Sequence, residues 1–407
     1  MSKEDLSIGD EKLIADDFIQ QQNEAANIVK AIEGSVKITE TDKKIAVERT
    51  KEELDDAEEV SQLAGDLSAF ISDKIDIDEI DGGIIDRFPT GLDLLDAIAG
   101  GGFGVGTFTM IIGNPGTFKS ALMAQTIGAG QKKYNGRMLA TYHDSEHSMT
   151  QDRLSNMGAK RPIPKVYSDV TVENIFQTIE CVAAFKQLRN IVDVPAVVAW
   201  DSIANTSTAK ERTTDDINQT IGLKARLLSG LFPRYIPKMA KNKISLIAVN
   251  QLREKLDMGM FSQPADLQHM GNKDIPGGQA LKFNAFHLLH LRNRGDIKFD
   301  QYGFNGIKLE AHFVKNKFFQ PNIPVMLIVD FNTGVSNFWS NYQFLCDNKR
   351  IKAGAWNNFA DDALKNSWRT KDAKEMHEND ESFRIKFDKE VKETIDREII
   401  VKYSAKK

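Results

Sequence analysis

Cysteine is almost missing from this 407-residue chain, which has only Cys181 and Cys346. Two thiols cannot build a disulfide framework or a thiolate metal site, so cross-linked secreted scaffolds and zinc-ribbon chemistry are excluded. His143, His147 and His269 have no ligand spacing and read as structural or solvent-facing. No apolar run approaches the length that crosses a bilayer, and the opening residues MSKEDLSIGDEK are acidic, without a secretory hydrophobic segment. The expectation is a cytoplasmic protein with no membrane partner. Internal repeats and low-complexity tracts are also missing.

What is present is an ordinary globular composition, 41% apolar and 27% charged, in a chain long enough for one large or two to three smaller domains. The net charge of -5 hides an asymmetry. Residues 1–80 carry 9 basic against 22 acidic residues, a net of -13, which leaves residues 81–407 at +8. A basic body behind an acidic head is compatible with a polyanionic partner, the alternative being a solvated acidic helical arm.

The chain is organised around TFTMIIGNPGTFKS, Thr107 to Ser120. Its β-branched and apolar start reads as a buried parallel strand that breaks at Gly113, and ALMAQTIGAG after it reads as a helix. Gly113, Asn114, Pro115, Gly116, Thr117, Phe118 and Ala121 would then line a phosphate cradle at a helix N-terminus, all but the proline able to offer a backbone N–H. Lys119 supplies a point charge for the phosphates and Ser120 a hydroxyl for Mg²⁺. The fit to G-x-x-x-x-G-K-[ST] is imperfect, because Phe118 occupies the position of the last glycine. An ordinary strand-to-helix turn is the alternative.

Three further strands end in polar residues. RMLATYHDSEH carries Asp144 and Glu146, PAVVAWDSIA carries Asp201, and SLIAVNQL carries Asn250 and Gln251. Helical patterns lie between them, at Val172–Arg189 and Gly222–Ala240. Strands alternating with helices predict an α/β fold with a doubly wound, mostly parallel sheet, whose ligands bind at the strands' carboxyl ends. There Asp201 suits a magnesium-shell carboxylate, Glu146 a base for the attacking water and Gln251 a γ-phosphate sensor. Singly, each is equally a helix cap.

TGLDLLDAIAGGG, GNPGTFKS, HDSEHS, AWDSIA, VNQLREK, PGGQALKF and FVKNK, taken in this order over Pro89 to Asn337, resemble the RecA family of DNA strand-exchange ATPases. The F-K-S loop ending and SWRTKD (Ser367–Asp372) look more like the tailed-phage UvsX branch, which implies the cytoplasm of an infected bacterial host. The resemblance implies a RecA-type P-loop core using ATP and Mg²⁺. It makes Glu146 the catalytic glutamate, Lys119 and Ser120 the phosphate and metal ligands, Asp201 the second metal-shell carboxylate and Gln251 the switch towards DNA. Lys315 and Lys317 match a pair that reaches the ATP of the neighbouring protomer, which places the active site at a subunit interface. Where the family sets an aspartate and a tyrosine against adenine, this chain has Thr150 and Arg153, and the Arg153 guanidinium is a candidate to stack on the base.

Two segments resemble the family's DNA-binding loops, about 209–221 and about 253–276. The second holds Met260 and Phe261 with Pro264, matching an apolar wedge that inserts between bases, with Arg226, Arg253 and Lys255 on phosphates. The implied division is an acidic, mostly helical N-terminal region (1–80) for protomer docking or DNA mimicry, an ATPase core (81–338) and an accessory C-terminal subdomain (339–407). The implied activity is an ATP-dependent recombinase that polymerises on single-stranded DNA, pairs it with homologous duplex and exchanges strands. Its expected partners are DNA, further copies of itself, and single-strand-binding and mediator proteins. A ring-forming replicative helicase of related fold and a nucleotide-gated structural filament or mediator are the alternatives.

Overall fold

The computed structural model describes residues 85–159, 164–214, 222–254, 273–361 and 367–404. The acidic N-terminal region, the end of the first expected DNA loop (215–221), and Lys255, Met260, Phe261 and His269 lie outside the described residues.

The strands, in chain order, are β1 (Arg87–Phe88), β2 (Phe103–Gly104), β3 (Phe108–Gly113), β4 (Leu139–Asp144), β5 (Lys165–Ser168), β6 (Ala196–Asp201) and β7 (Ile244–Gln251). They continue with β8 (Arg253–Glu254), β9 (Lys273–Asp274), β10 (His287–Ile297), β11 (Gly306–Asn316), β12 (Val325–Asp330), β13 (Gly334–Ser336), β14 (Ile351–Lys352) and β15 (Asn358–Phe359). Nine of them form one sheet in the order β13-β12-β11-β10-β3-β7-β6-β4-β5. The pairings from β10 through β3, β7, β6 and β4 to β5 are all parallel, whereas β10, β11, β12 and β13 pair antiparallel. The parallel part follows the alternation of strand and helix seen in the sequence. The antiparallel extension was not anticipated, because no long helix separates β10, β11 and β12 and the chain returns directly.

The central strands are apolar along their whole length because both faces are covered. Phe108, Met110 and Ile112 of β3 point into one cluster with Val198 and Trp200 of β6 and Leu246 and Ala248 of β7. Ile111, Val197, Ala199, Ile247 and Val249 alternate into the other. Helices α2 (Val172–Leu188) and α3 (Leu223–Lys241) close the first face with Phe176, Ile179, Leu228 and Phe232. Helix α1 (Lys119–Lys133) closes the second with Leu122, Met123 and Ile127. Burying each such side chain contributes about 1.5–3 kcal/mol.

Helix α1 carries the loop residues, so its seating matters. Gly128 lets it lie against the Gly158 carbonyl, and a Cβ there would sit 1.9 Å from that oxygen. Gly128→Ala should therefore push α1 off and destabilise the protein by about 1–3 kcal/mol, read as a lower urea midpoint at unchanged slope.

After β13 the chain forms helix Asn337–Asp347, the β14–β15 ribbon and the helices Ala373–Asn379 and Glu381–Ile395. The last runs on through a π-helical stretch, Asp396–Val401, and Lys402–Ser404.

Candidate functional site

Register alone brings the predicted residues together. Asp144 pairs with Asp201, Asp201 with Val249, and Gln251 with Gly113. Four strand ends thus lie side by side, each about 4.8 Å from the next, on one rim of the sheet. β3 is central, and β7 and β10 flank it, so the crossovers part above its carboxyl end.

Gly113 ends β3 where a Cβ would meet the Leu291 carbonyl oxygen at 2.7 Å and Thr117 Oγ1 at 2.6 Å. No larger residue fits. Thr117 closes the loop by donating to the Asn114 carbonyl at 2.8 Å, and α1 starts at Lys119. The Lys119 amine is buried and folded over the loop, donating to the carbonyls of Gly113 (3.1 Å) and Asn114 (2.8 Å). Burial holds its pKa below the usual lysine value, against the opposing pull of Asp201 and Glu146. A buried ammonium beside the backbone N–H groups of a helix start is an anion-binding arrangement.

Asp201 is buried at the end of β6, and burial raises its pKa against hydrogen bonds from Ser120 and Tyr142, with Glu146 and Asp144 adding to the rise. Tyr142 donates to Oδ2 at 2.6 Å. Oδ1 is buried with no hydrogen-bond partner among the described residues. An uncommitted carboxylate oxygen beside the Ser120 hydroxyl fits a hard divalent cation that keeps waters and substrate oxygens as its other ligands. Among the described residues no group of three or more His, Cys, Asp or Glu could hold a metal by themselves.

Asp144 shapes the next turn without facing the loop. Its carboxylate accepts from the backbone N–H of Glu146 (2.9 Å), Ser148 (2.7 Å) and Met149 (2.6 Å). The turn presents Glu146 at the rim. Glu146 Oε1 accepts from Ser202 Oγ (3.0 Å), Asn205 Nδ2 (2.8 Å) and Gln251 Nε2 (3.0 Å). The expected base and the expected sensor are thus in direct contact.

A family model described as the RecA N-terminal domain matches residues 74–336. The chain belongs to the RecA family. RecA of Mycoplasmopsis pulmonis is 29% identical over 280 residues, which cover 67% of this chain and 75% of that protein. RecA of Thermus aquaticus is 29% identical over 283 residues, covering 69% and 77%. RecA of Aquifex aeolicus is 26% identical over 293 residues, covering 69% and 76%. The nine-stranded sheet with its covering helices is the RecA-type α/β core that the sequence led one to expect.

Within this RecA-family core the remaining predicted residues divide. Ser120 and Ala121 lie in the first turn of α1. Arg153 sits on the short helix Gln151–Asn156, and its guanidinium donates to the Ser148 carbonyl at 2.8 Å, which ties it to the turn carrying Glu146. Arg226 is exposed on the first turn of α3. Arg253 begins β8, which pairs with β9 and frames the ends of the second segment. The first segment is not all loop, since Ala209–Thr213 is a helix with a Thr208–Glu211 capping box.

Lys315 and Lys317 are not at the chain's own phosphate loop. Lys315 pairs with Leu288, which pairs with Met110, three residues back from Gly113. That is roughly 10 Å down the strands and two strands across. There Lys315 donates to the carbonyls of Lys282 (3.0 Å) and Phe283 (2.6 Å), and Lys317 lies 5.3 Å from the Phe286 ring centre.

Sequence reading missed Tyr142, Ser202, Asn205 and Phe331. Ser202 and Asn205 follow Asp201 closely and were within reach of position alone. Phe331 had no signal. It lies in the β12–β13 turn, and its ring stacks on Phe118 at 5.9 Å with planes 8° apart. This supplies the account of Phe118 that the sequence lacked. Phe118 adopts the left-handed conformation, φ 55°, that a glycine would take without strain. The cost for an L-residue is about 1–2 kcal/mol, and an aromatic pair returns about 0.5–1.5 kcal/mol. Phe331→Ala should therefore loosen the loop, raising the KM for ATP about 2–10-fold with little change in kcat, as steady-state phosphate release would record.

Proposed function

We propose that this chain is a DNA-dependent ATPase of the UvsX-like branch that assembles on single-stranded DNA and exchanges strands with homologous duplex. The contact that carries the reading is Gln251 Nε2 to Glu146 Oε1 at 3.0 Å, beside the phosphate loop. It joins a candidate base to the strand that leads into the second DNA-facing segment. ATP would lie with its phosphates on residues 113–121, Lys119 leaving the loop carbonyls for them. Mg²⁺ would be held by Ser120 and Asp201 and would offset charge on the phosphates. Glu146 orients the attacking water and accepts its proton, and Arg153 is the candidate for the base. Lys315 and Lys317 complete the site of an adjoining copy.

Arg226, Arg253 and Lys255 are assigned to phosphates, and Met260 and Phe261 to the wedge between bases. Residues 1–80 serve docking between protomers or regulation, and 339–407 an accessory role. Phosphate release with and without oligo(dT), alongside pairing of a labelled strand with homologous duplex, tests the reading. Stimulated hydrolysis and joint-molecule formation are expected. Hydrolysis without any DNA response, or unwinding of a fork in place of pairing, would overturn it.

A further inference from the structure

The turn after β6 is buried except at one residue. Ser202, Ile203, Ala204 and Thr206 are buried, whereas Asn205 is exposed and has its amide on Glu146. Gln251, on the same carboxylate oxygen, ends the strand that leads to the second DNA-facing segment. Asn205 precedes the helix Ala209–Thr213 that opens the first. One oxygen thus collects an amide from each of the two exits.

The turn is also tied to both flanks of that first segment. On the near side, Trp200 Nε1 donates to the Thr206 hydroxyl at 2.7 Å, which donates on to the Ser202 carbonyl at 2.8 Å. Thr208, two residues later, caps Ala209–Thr213. On the far side, Lys224 in the first turn of α3 donates to the carbonyls of Ile203 (3.2 Å) and Ala204 (3.4 Å). A displacement of either flank would thus pull on residues 202–206, which carry the Asn205 amide.

We propose that Asn205 is a positioning residue, a second arm beside Gln251, through which the helix Ala209–Thr213 sets the Glu146 carboxylate. The inference rests on the DNA-dependent ATPase reading above. A neutral amide suits the role, because it fixes the carboxylate's direction without adding a charge next to the phosphates. Two arms on one oxygen let hydrolysis respond fully only when both segments are in place.

Asn205 is exposed, so Asn205→Ala and Asn205→Gln should fold normally. In the free protein, Asn205→Ala should speed backbone hydrogen exchange several-fold in the peptide spanning 144–149, and Asn205→Gln should reverse most of that. With oligo(dT) and saturating ATP, Asn205→Ala should cut the stimulation about 5–10-fold with KM for ATP within about twofold. Combined with Gln251→Ala, the loss should be smaller than the product of the single losses, since both amides act on one oxygen. Unchanged exchange in Asn205→Ala overturns the assignment, as does a stimulation equal to the parent's. If the parent shows no stimulation by oligo(dT), the DNA-dependent reading falls instead. The exchange comparison, which uses neither DNA nor nucleotide, still decides the Asn205–Glu146 arm.

Discussion

Glu146→Gln should lower ATP hydrolysis about 10²–10⁴-fold while leaving nucleotide affinity within about threefold of the parent. The separation follows from the bonds around the side chain. Oε1 accepts from Ser202, Asn205 and Gln251, and a glutamine carbonyl oxygen accepts from the same three donors. The turn beneath is held by Asp144 through the backbone and by these three bonds to the side chain, all of which glutamine keeps, so the substitution leaves it in place. What disappears is the capacity to take a proton from water. Lys119→Ala differs, because it removes the buried ammonium at the loop and should cost affinity and rate together. Titration with a fluorescent ATP analogue and single-turnover phosphate release separate the two. A Glu146→Gln rate within tenfold of the parent would assign the base to another group.

The site could be read before the structure because strand ends are written locally. AVVAWD is buried throughout and ISLIAVNQ as far as Asn250, so the polar residues that close these runs, Asp201 and Gln251, fall at the rim. The parallel pairing implied by intervening helices then set them next to the loop. What the sequence could not reveal depends on long-range register. Phe331 meets Phe118 only because the antiparallel strands β10 to β12 bring the β12–β13 turn back to the loop. The Tyr142–Asp201 bond, 59 residues apart, depends on β4 lying beside β6. The three donors on Glu146 come from two other strand exits, and donor and acceptor polarity carries no periodic signal. Likewise Lys315 and Lys317 read as a motif, but their distance from the local loop emerged only from the pairing of β11 with β10 and β10 with β3.

That distance leads to the second large effect. Lys315→Ala with Lys317→Ala should reduce DNA-stimulated hydrolysis about 10²–10³-fold if these ammonium groups act on the neighbour's phosphates. Within one chain Lys315 is engaged with the carbonyls of Lys282 and Phe283, and burial with the nearby Lys317 lowers its pKa, so loss of local stability is a competing explanation. Mixing separates the two. A head-to-tail interface of that kind would present Glu146 from one copy and the lysine pair from the next. In a random equal mixture of Glu146→Gln with the double lysine variant, about a quarter of the interfaces hold both intact halves, so about a quarter of the parent activity should return from two nearly inactive proteins. If both groups served a single copy, no interface would be whole and the mixture would stay inactive. Recovery must also vanish upon dilution below the assembly concentration, because the shared site exists only while two copies touch.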